Sequence, residues 1–223
     1  MSDAYRWDFG AVFGHLDILL VGLKGTLVLF AISLAIGLAI GLVVGAARYA
    51  RHPMLNWPAT AYVELFRNTP VLVQLMWFYY AFPILSGVQM SAFAAAALSL
   101  SLNTSAFCAE IFRGGIQSIV RGQWEAGRAL GMGYVPLMRR IILPQAVKRM
   151  IPAFTNRALE LAKMTTLAST IAVAELLYQG RLLTSVNYRP IETYTVIALI
   201  YVTVLYSATV GVERLERHLR RGE

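Results

Sequence analysis

Long apolar runs separated by short polar or basic connections set the pattern along this chain. From Ile18 to about Ala47 the run exceeds the roughly 20 residues that cross a bilayer as a helix, so it predicts a first, tilted or overhanging span over residues 18–47. Within it Gly37, Gly41 and Gly45 recur at every fourth position and leave one helix face smooth enough for close approach by another helix, one of the same chain in preference to one across a dimer contact. Arg48, Arg51 and His52 end that run, and Pro53 and Pro58 break the helix after it. A second span is expected over 62–83 and a third over 92–112, the third polar at its middle through Asn103, Thr104 and Ser105. A basic interval, 113–149, follows, and the last apolar run predicts a span over 193–212.

Residues 151–178 are ambiguous by hydropathy, because Arg157, Glu160 and Lys163 interrupt them; topology decides. Seven basic residues against the single acid Glu125 lie between Arg113 and Arg149, and four arginines close the chain, so both segments belong in the cytoplasm. Two cytoplasmic segments cannot be joined by one span, which requires another over 151–178. The expectation is a single all-α integral membrane domain over 1–223 with five transmembrane helices, the N-terminus outside and the C-terminus cytoplasmic. The acidic residues Asp3, Asp8 and Asp17 near the start agree with that orientation. The start also lacks a basic stretch before a short apolar core, so the first span is expected to do its own targeting.

Composition supports the membrane reading: 14% of residues are charged, where soluble domains carry about a quarter. The net charge of +8 clusters at the ends of apolar runs and builds no aromatic-interleaved basic face, so nucleic acid is not an expected partner. One cysteine, Cys108, and three dispersed histidines exclude an internal disulfide and a cysteine-based metal cage. There is no phosphate-binding G-x-x-x-x-G-K-[ST], no G-x-S-x-G elbow and no H-E-x-x-H helix. The chain is therefore not expected to be an enzyme, and no catalytic residue, metal or bound cofactor is assigned to it.

Ionised groups near the bilayer centre cost about 2.5–3.5 kcal/mol on insertion scales, so they face the protein interior or a water-filled path. Here three acids are each followed by a base three residues later: Glu64 with Arg67, Glu110 with Arg113, and Glu160 with Lys163. The first two pairs sit near cytoplasmic ends, where they neutralise each other or form a gate. Glu160 and Lys163, with Thr165 and Thr166 nearby and Asn103, Thr104 and Ser105 on the third span, are candidates to line a path for a zwitterionic solute. Glu175, nearer the outer end, fits a role there or simple solvation at the interface.

The basic interval contains the stretch EAGRALGMGYVPLMRRIILP from Glu125 to Pro144. Gln123 to Leu130 reads as a short helix whose small residues Ala126, Gly127 and Ala129 permit close contact by a partner, with Gly131 and Gly133 available for a positive φ at its end. Pro136 suits the first turn of a new helix, and Pro144 is expected to break it.

This stretch resembles the EAA loop of the permease subunits of binding-protein-dependent ABC importers; Glu125, Ala126, Gly131, Ile141, Leu143 and Pro144 match, and Gly127 stands where the family pattern has alanine. YVELFRNTPVLVQL, LNTSAFCAEIFRGGIQSIVRGQWEA and LPQAVKRMIPAFTNRALELAKMTTLAST resemble the polar amino-acid branch, over most of residues 18–213. The resemblance implies a MetI-like five-span fold in a bacterial cytoplasmic membrane, pairing with a second copy or a paralogue, and two ATPase subunits that use ATP and Mg. It also implies an extracytoplasmic amino-acid-binding protein, with Glu125, Ala126, Gly127, Ala129, Leu130 and Gly131 coupling the permease to the ATPase. The implied function is ATP-driven import of a polar amino acid, glutamate/aspartate or glutamine being favoured; an ion-coupled secondary transporter of a zwitterion, with Glu110 or Glu160 carrying the proton, is the alternative.

Overall fold

The computed structural model describes residues 5–50 and 52–220, and all regular structure among them is helical. Asp3, to which the orientation argument appeals, Arg51 at the end of the first run, and the last arginine, Arg221, lie outside the described residues. In chain order the helices are α1 (Gly10–Phe13), α2 (Leu16–Tyr49), α3 (Pro53–Asn68), α4 (Val71–Met76), α5 (Phe82–Ser86) and α6 (Ala92–Gln117). They continue with α7 (Arg121–Ala129), α8 (Tyr134–Leu137), α9 (Leu143–Met164), α10 (Leu176–Asn187) and α11 (Pro190–Arg220). Three stretches, Leu16–Tyr49, Ala92–Gln117 and Pro190–Val212, are long and apolar enough to cross a membrane. Pro53–Asn68 and Val71–Ser86 meet the same test only together, as a bent pair broken at Thr69 and Pro70.

Pro58, expected to break the helix, lies inside α3, as Pro152 lies inside α9; two further prolines sit in unbroken helix just after a π turn. Trp77–Ala81 and Met138–Ile142 are π-helical, and the N–H of Phe82 and of Leu143 donates five residues back, to Trp77 and Met138. Pro83 and Pro144 come one residue later. Widening the turn shifts the carbonyl that a proline ring would strike. The expectation that Pro144 breaks the chain before the fourth span is thereby corrected: helix runs from Tyr134 through Pro144 to Met164. The segment 151–178, expected as one span, is not one continuous helix: it holds α9 to Met164, a 3₁₀ helix over Thr165–Ile171, and the beginning of α10 at Leu176. The positive φ of Ala172 ends the 3₁₀ turn.

The chain forms two compact units, one of Met1–Ile32, Val71–Leu100 and Leu161–Gly211, the other of Ser33–Pro70, Ser101–Glu160 and Val212–Glu223. In the first, Val12, Leu19, Leu176, Leu183, Val196 and Ile197 build the core. A Cβ at Gly25 would lie 2.2 Å from the Ala174 carbonyl oxygen, so only glycine allows α2 this close to the chain entering α10. Thr26 uses the approach: its Oγ1 accepts from the Leu176 N–H at 3.0 Å.

In the second unit the glycine face of α2 meets α6. Cβ atoms at Gly37, Gly41 and Gly45 would stand 2.8, 2.5 and 3.0 Å from Thr104, Cys108 and Ala109, so the face serves packing within the chain, as its spacing predicts. A further core joins Ile116 and Ile119 to Leu137, Ile142, Ala146 and Met150, and it carries α7 and α8.

Candidate functional site

The short helix predicted over Gln123 to Leu130 is α7, one or two residues displaced at each end. Its termination is a Schellman motif: Met132 N–H donates to the Gly127 carbonyl and Gly131 N–H to that of Arg128, with Gly131 at φ 72°. Gly133 has φ −66° and is not part of that turn. Met132 folds back with Trp124 onto the core around Leu137, the apolar contact that accompanies such caps. Glu125, Ala126, Ala129, Leu130 and Gly131 are exposed, Leu130 with 78% of its surface free. Gly127 alone of the set is buried, and a Cβ there would lie 2.3 Å from Leu137 Cδ1. The glycine in place of the family's alanine thus lets α7 sit close on α8, while the rest of the motif faces outward.

Beside this helix the second unit holds a cavity of about 1110 Å³, with Arg48, Asn56, Trp124, Arg128 and Tyr134 in its wall. Val120 and Val135 are also exposed on the loop.

The gate candidates form a network that differs from the expected pairs. Glu110 and Arg113 pair as predicted, Nε to Oε1 at 2.9 Å and a terminal nitrogen to Oε2 at 3.0 Å. Glu64 and Arg67 do not pair. Glu64 accepts from Arg48 at 3.1 Å, and Arg67 lies 3.4 Å from Glu110 Oε2. Arg48 also bonds Glu110, so this one carboxylate gathers three guanidinium groups brought by α2, α3 and α6. The i,i+3 rule finds pairs within a helix; it is silent on partners that packing delivers from elsewhere.

Glu160 likewise pairs differently. Arg157, one turn earlier on α9, reaches it at 2.8 Å, and Lys163 has no ion pair among the described residues. Arg157 is only 3% exposed; it donates to Asn103 Oδ1 at 2.6 Å, lies 3.4 Å from Thr104 Oγ1, and stacks 4.1 Å from the centre of the Phe107 ring. Its Nε is buried with no partner. Asn103 is committed on both sides, since its Nδ2 donates to the Phe66 carbonyl at 2.8 Å; Ser105 bonds Tyr62 at 2.6 Å. Of the expected path residues in this unit, Asn103, Thr104 and Glu160 therefore meet a buried arginine that residue spacing flagged only as an interruption of an apolar run, while Ser105 turns to Tyr62.

Lys163, Thr165 and Thr166 belong to the other unit. Lys163 is exposed, Thr165 is buried, and both threonine hydroxyls donate to carbonyls three residues back, to Ala162 and Lys163. These bonds satisfy the hydroxyls within the 3₁₀ segment. Glu175, expected to be solvated or to serve at the outer end, is buried: it caps α10 by accepting from Leu177 and Tyr178 N–H, and Tyr201 donates to it at 3.1 Å.

The chain matches the family described as binding-protein-dependent transport system inner membrane component over residues 25–221. It is 37% identical to a probable amino-acid ABC transporter permease of Bacillus subtilis, over 97% of either chain. To the glutamine transport system permease of Escherichia coli it is 35% identical, over 96% of this chain and 99% of that one. Among solved structures, a chain from the crystal structure of an amino acid ABC transporter with histidines superposes with a TM-score of 0.92 at 34% identity, covering 96% of this chain and 100% of that one. A chain of the inward-facing MetNI methionine ABC transporter gives 0.76 at 23% identity, over 90% and 95%, and bears on the fold alone.

Proposed function

Because the chain belongs to the family of binding-protein-dependent transport system inner membrane components, we propose that it is the membrane-spanning permease of an ATP-driven importer of a polar amino acid. Its described residues have the all-helical, MetI-like permease fold. In this reading the chain crosses the membrane five times, its N-terminus outside and its C-terminus in the cytoplasm, as the basic interval 113–149 supports. It hydrolyses no ATP. ATP and Mg are used by two partner ATPase subunits, a second permease completes the path, and an extracytoplasmic binding protein delivers the amino acid.

The exposed α7 segment carries the coupling. Glu125, Ala126, Ala129, Leu130 and Gly131 dock into the ATPase, Gly127 seats the helix on α8, and closure of the ATPases by ATP moves the segment as a rigid lever on the core around Leu137. The two permeases then pass between inward-facing and outward-facing states, with Glu64, Arg67, Glu110 and Arg113 as a cytoplasmic gate whose ion pairs would exchange.

The single observation that carries the substrate reading is Arg157, a buried guanidinium beside Asn103 and Thr104 with one nitrogen unpaired. The guanidinium is already paired with Glu160, and its remaining Nε donor suits a carboxylate or amide oxygen, which supports glutamate, aspartate or glutamine among the polar amino acids. Lys163, Thr165 and Thr166 remain path candidates from the other unit. Similarity to ABC permeases leaves no part for α7 in an ion-coupled scheme, so that alternative is not preferred. The test is reconstitution with the ATPase and binding protein in vesicles, followed by competition among labelled amino acids; uptake that persists without ATP and collapses with the proton gradient would reverse the reading.

A further inference from the structure

Residues Tyr5 to Phe13 play no part in the coupling or the path, yet they are tightly fixed. Glu192, the third residue of α11, is fully buried and accepts from the Tyr5 hydroxyl and, at 2.9 Å, from the Asp8 N–H. Arg189 donates to the Arg6 carbonyl at 2.9 Å and stands 5.9 Å from the Tyr5 ring. Val12 anchors the inner side in the core with Leu19 and Val196. A carboxylate without solvent access is costly unless satisfied, so the bonds to Glu192 hold the segment to one register on α11.

The outer side is aromatic and open. Trp7 stacks on Phe9 with ring centres 5.6 Å apart and planes 2° apart, and Tyr5 meets Trp7 edge-on. Trp7 is 59% exposed, Phe13 56% and Tyr5 46%, and the apolar surface continues along α2 through Leu16, Leu20 and Val21. A soluble surface rarely leaves so many large apolar groups together. Two stretches long and apolar enough to cross a membrane, Leu16–Tyr49 and Pro190–Val212, begin beside this strap. Lys24 adds a second observation. It lies within the first of those stretches, is exposed, and has no ion pair among the described residues. Cα–Cβ bonds in an α-helix tilt toward its N-terminus, so the Lys24 stem leads back toward the level of the strap, as a lysine reaching for phosphate does.

We infer that the strap Tyr5–Phe13 is an interfacial anchor that lies among phospholipid headgroups where α2 and α11 enter the bilayer, its aromatic rings at the glycerol level and Lys24 rising to a lipid phosphate. Aromatic side chains with one apolar body and one polar edge are enriched at that depth. The Glu192 bonds couple the anchor to the start of α11, so membrane contact sets the position of that helix end.

The test uses the full chain in its membrane complex, with Trp57, Trp77 and Trp124 and the tryptophans of the other subunits replaced by Phe, leaving Trp7 as the sole emitter. It is reconstituted in phosphatidylethanolamine and phosphatidylglycerol vesicles whose acyl chains carry bromines either near the glycerol or near the bilayer centre. Shallow bromines are expected to quench Trp7 about twofold more than deep ones, as for an interfacial ring. Absence of quenching by either, as for a strap against a protein partner or in water, would overturn the anchor, as would stronger quenching by the deep set. Adding Tyr5→Phe with Glu192→Leu should erase the depth preference; an unchanged preference would overturn the part given to Glu192. Neither readout depends on transport.

Discussion

Arg157 donates to the amide oxygen of Asn103 at 2.6 Å, across 54 positions of chain, and the same asparagine donates onward to the Phe66 carbonyl. Removing the asparagine takes one acceptor from a buried guanidinium and the donor from a carbonyl together. Asn103→Leu is expected to lower stability by about 1–3 kcal/mol, the usual cost of leaving buried partners unsatisfied, read as a fall in melting temperature of the purified protein. Asn103→Asp keeps the acceptor for Arg157 but loses the donation to Phe66, and should fall between the two.

Arg157→Gln should reduce uptake of acidic amino acids at least about tenfold, the equivalent of one charge-assisted hydrogen bond, while the protein remains in the membrane. Competition assays with glutamate against a basic amino acid check it. Equal loss for both solutes would mean that Arg157 holds the fold and does not select.

Glu125→Lys and Gly131→Asp are each expected to abolish ATP-dependent uptake with normal membrane levels. Glu125 is exposed, so reversing its charge changes the surface and not the core. Gly131 has φ 72° and open space around it, so Asp meets backbone strain of roughly 1–2 kcal/mol that deforms the cap but strikes no neighbour. Unchanged uptake in both variants would remove α7 from the coupling.

Two glycines, one in α2 and one in α6, should answer differently to alanine. Gly25→Ala forces a Cβ within 2.2 Å of a backbone oxygen and should lower stability by roughly 1–3 kcal/mol, since overpacking here has no flexible side chain to absorb it. Gly114→Ala, in α6 with nothing within 4 Å, should raise it by up to about 1 kcal/mol through helix propensity. Thermal denaturation in detergent compares the two directly.

Glu175→Ala should cost about 1–2 kcal/mol, because α10 loses its N-terminal cap and Tyr201 its acceptor. Hydrogen exchange should rise first at Leu177 and Tyr178, whose N–H groups the carboxylate covers.

What residue order alone determined here is whatever depends on local period and sign of charge. The apolar runs of α2, α6 and α11, the glycine face at Gly37, Gly41 and Gly45, the short helix before Gly131 and the Glu110–Arg113 pair all follow from neighbours within a turn or two. The tertiary structure decided the rest. Glu64 turned to Arg48, Glu110 collected three arginines, Glu160 took Arg157 in place of Lys163, and Glu175 and Glu192 became buried acceptors. Each of those partners is chosen by which helices pack together, and a charged side chain inside such packing binds the nearest group that can replace its water, whatever the distance along the chain. Pro83 and Pro144 show the same limit in the backbone: proline predicts a break, and only the preceding π turn reveals that the helix continues.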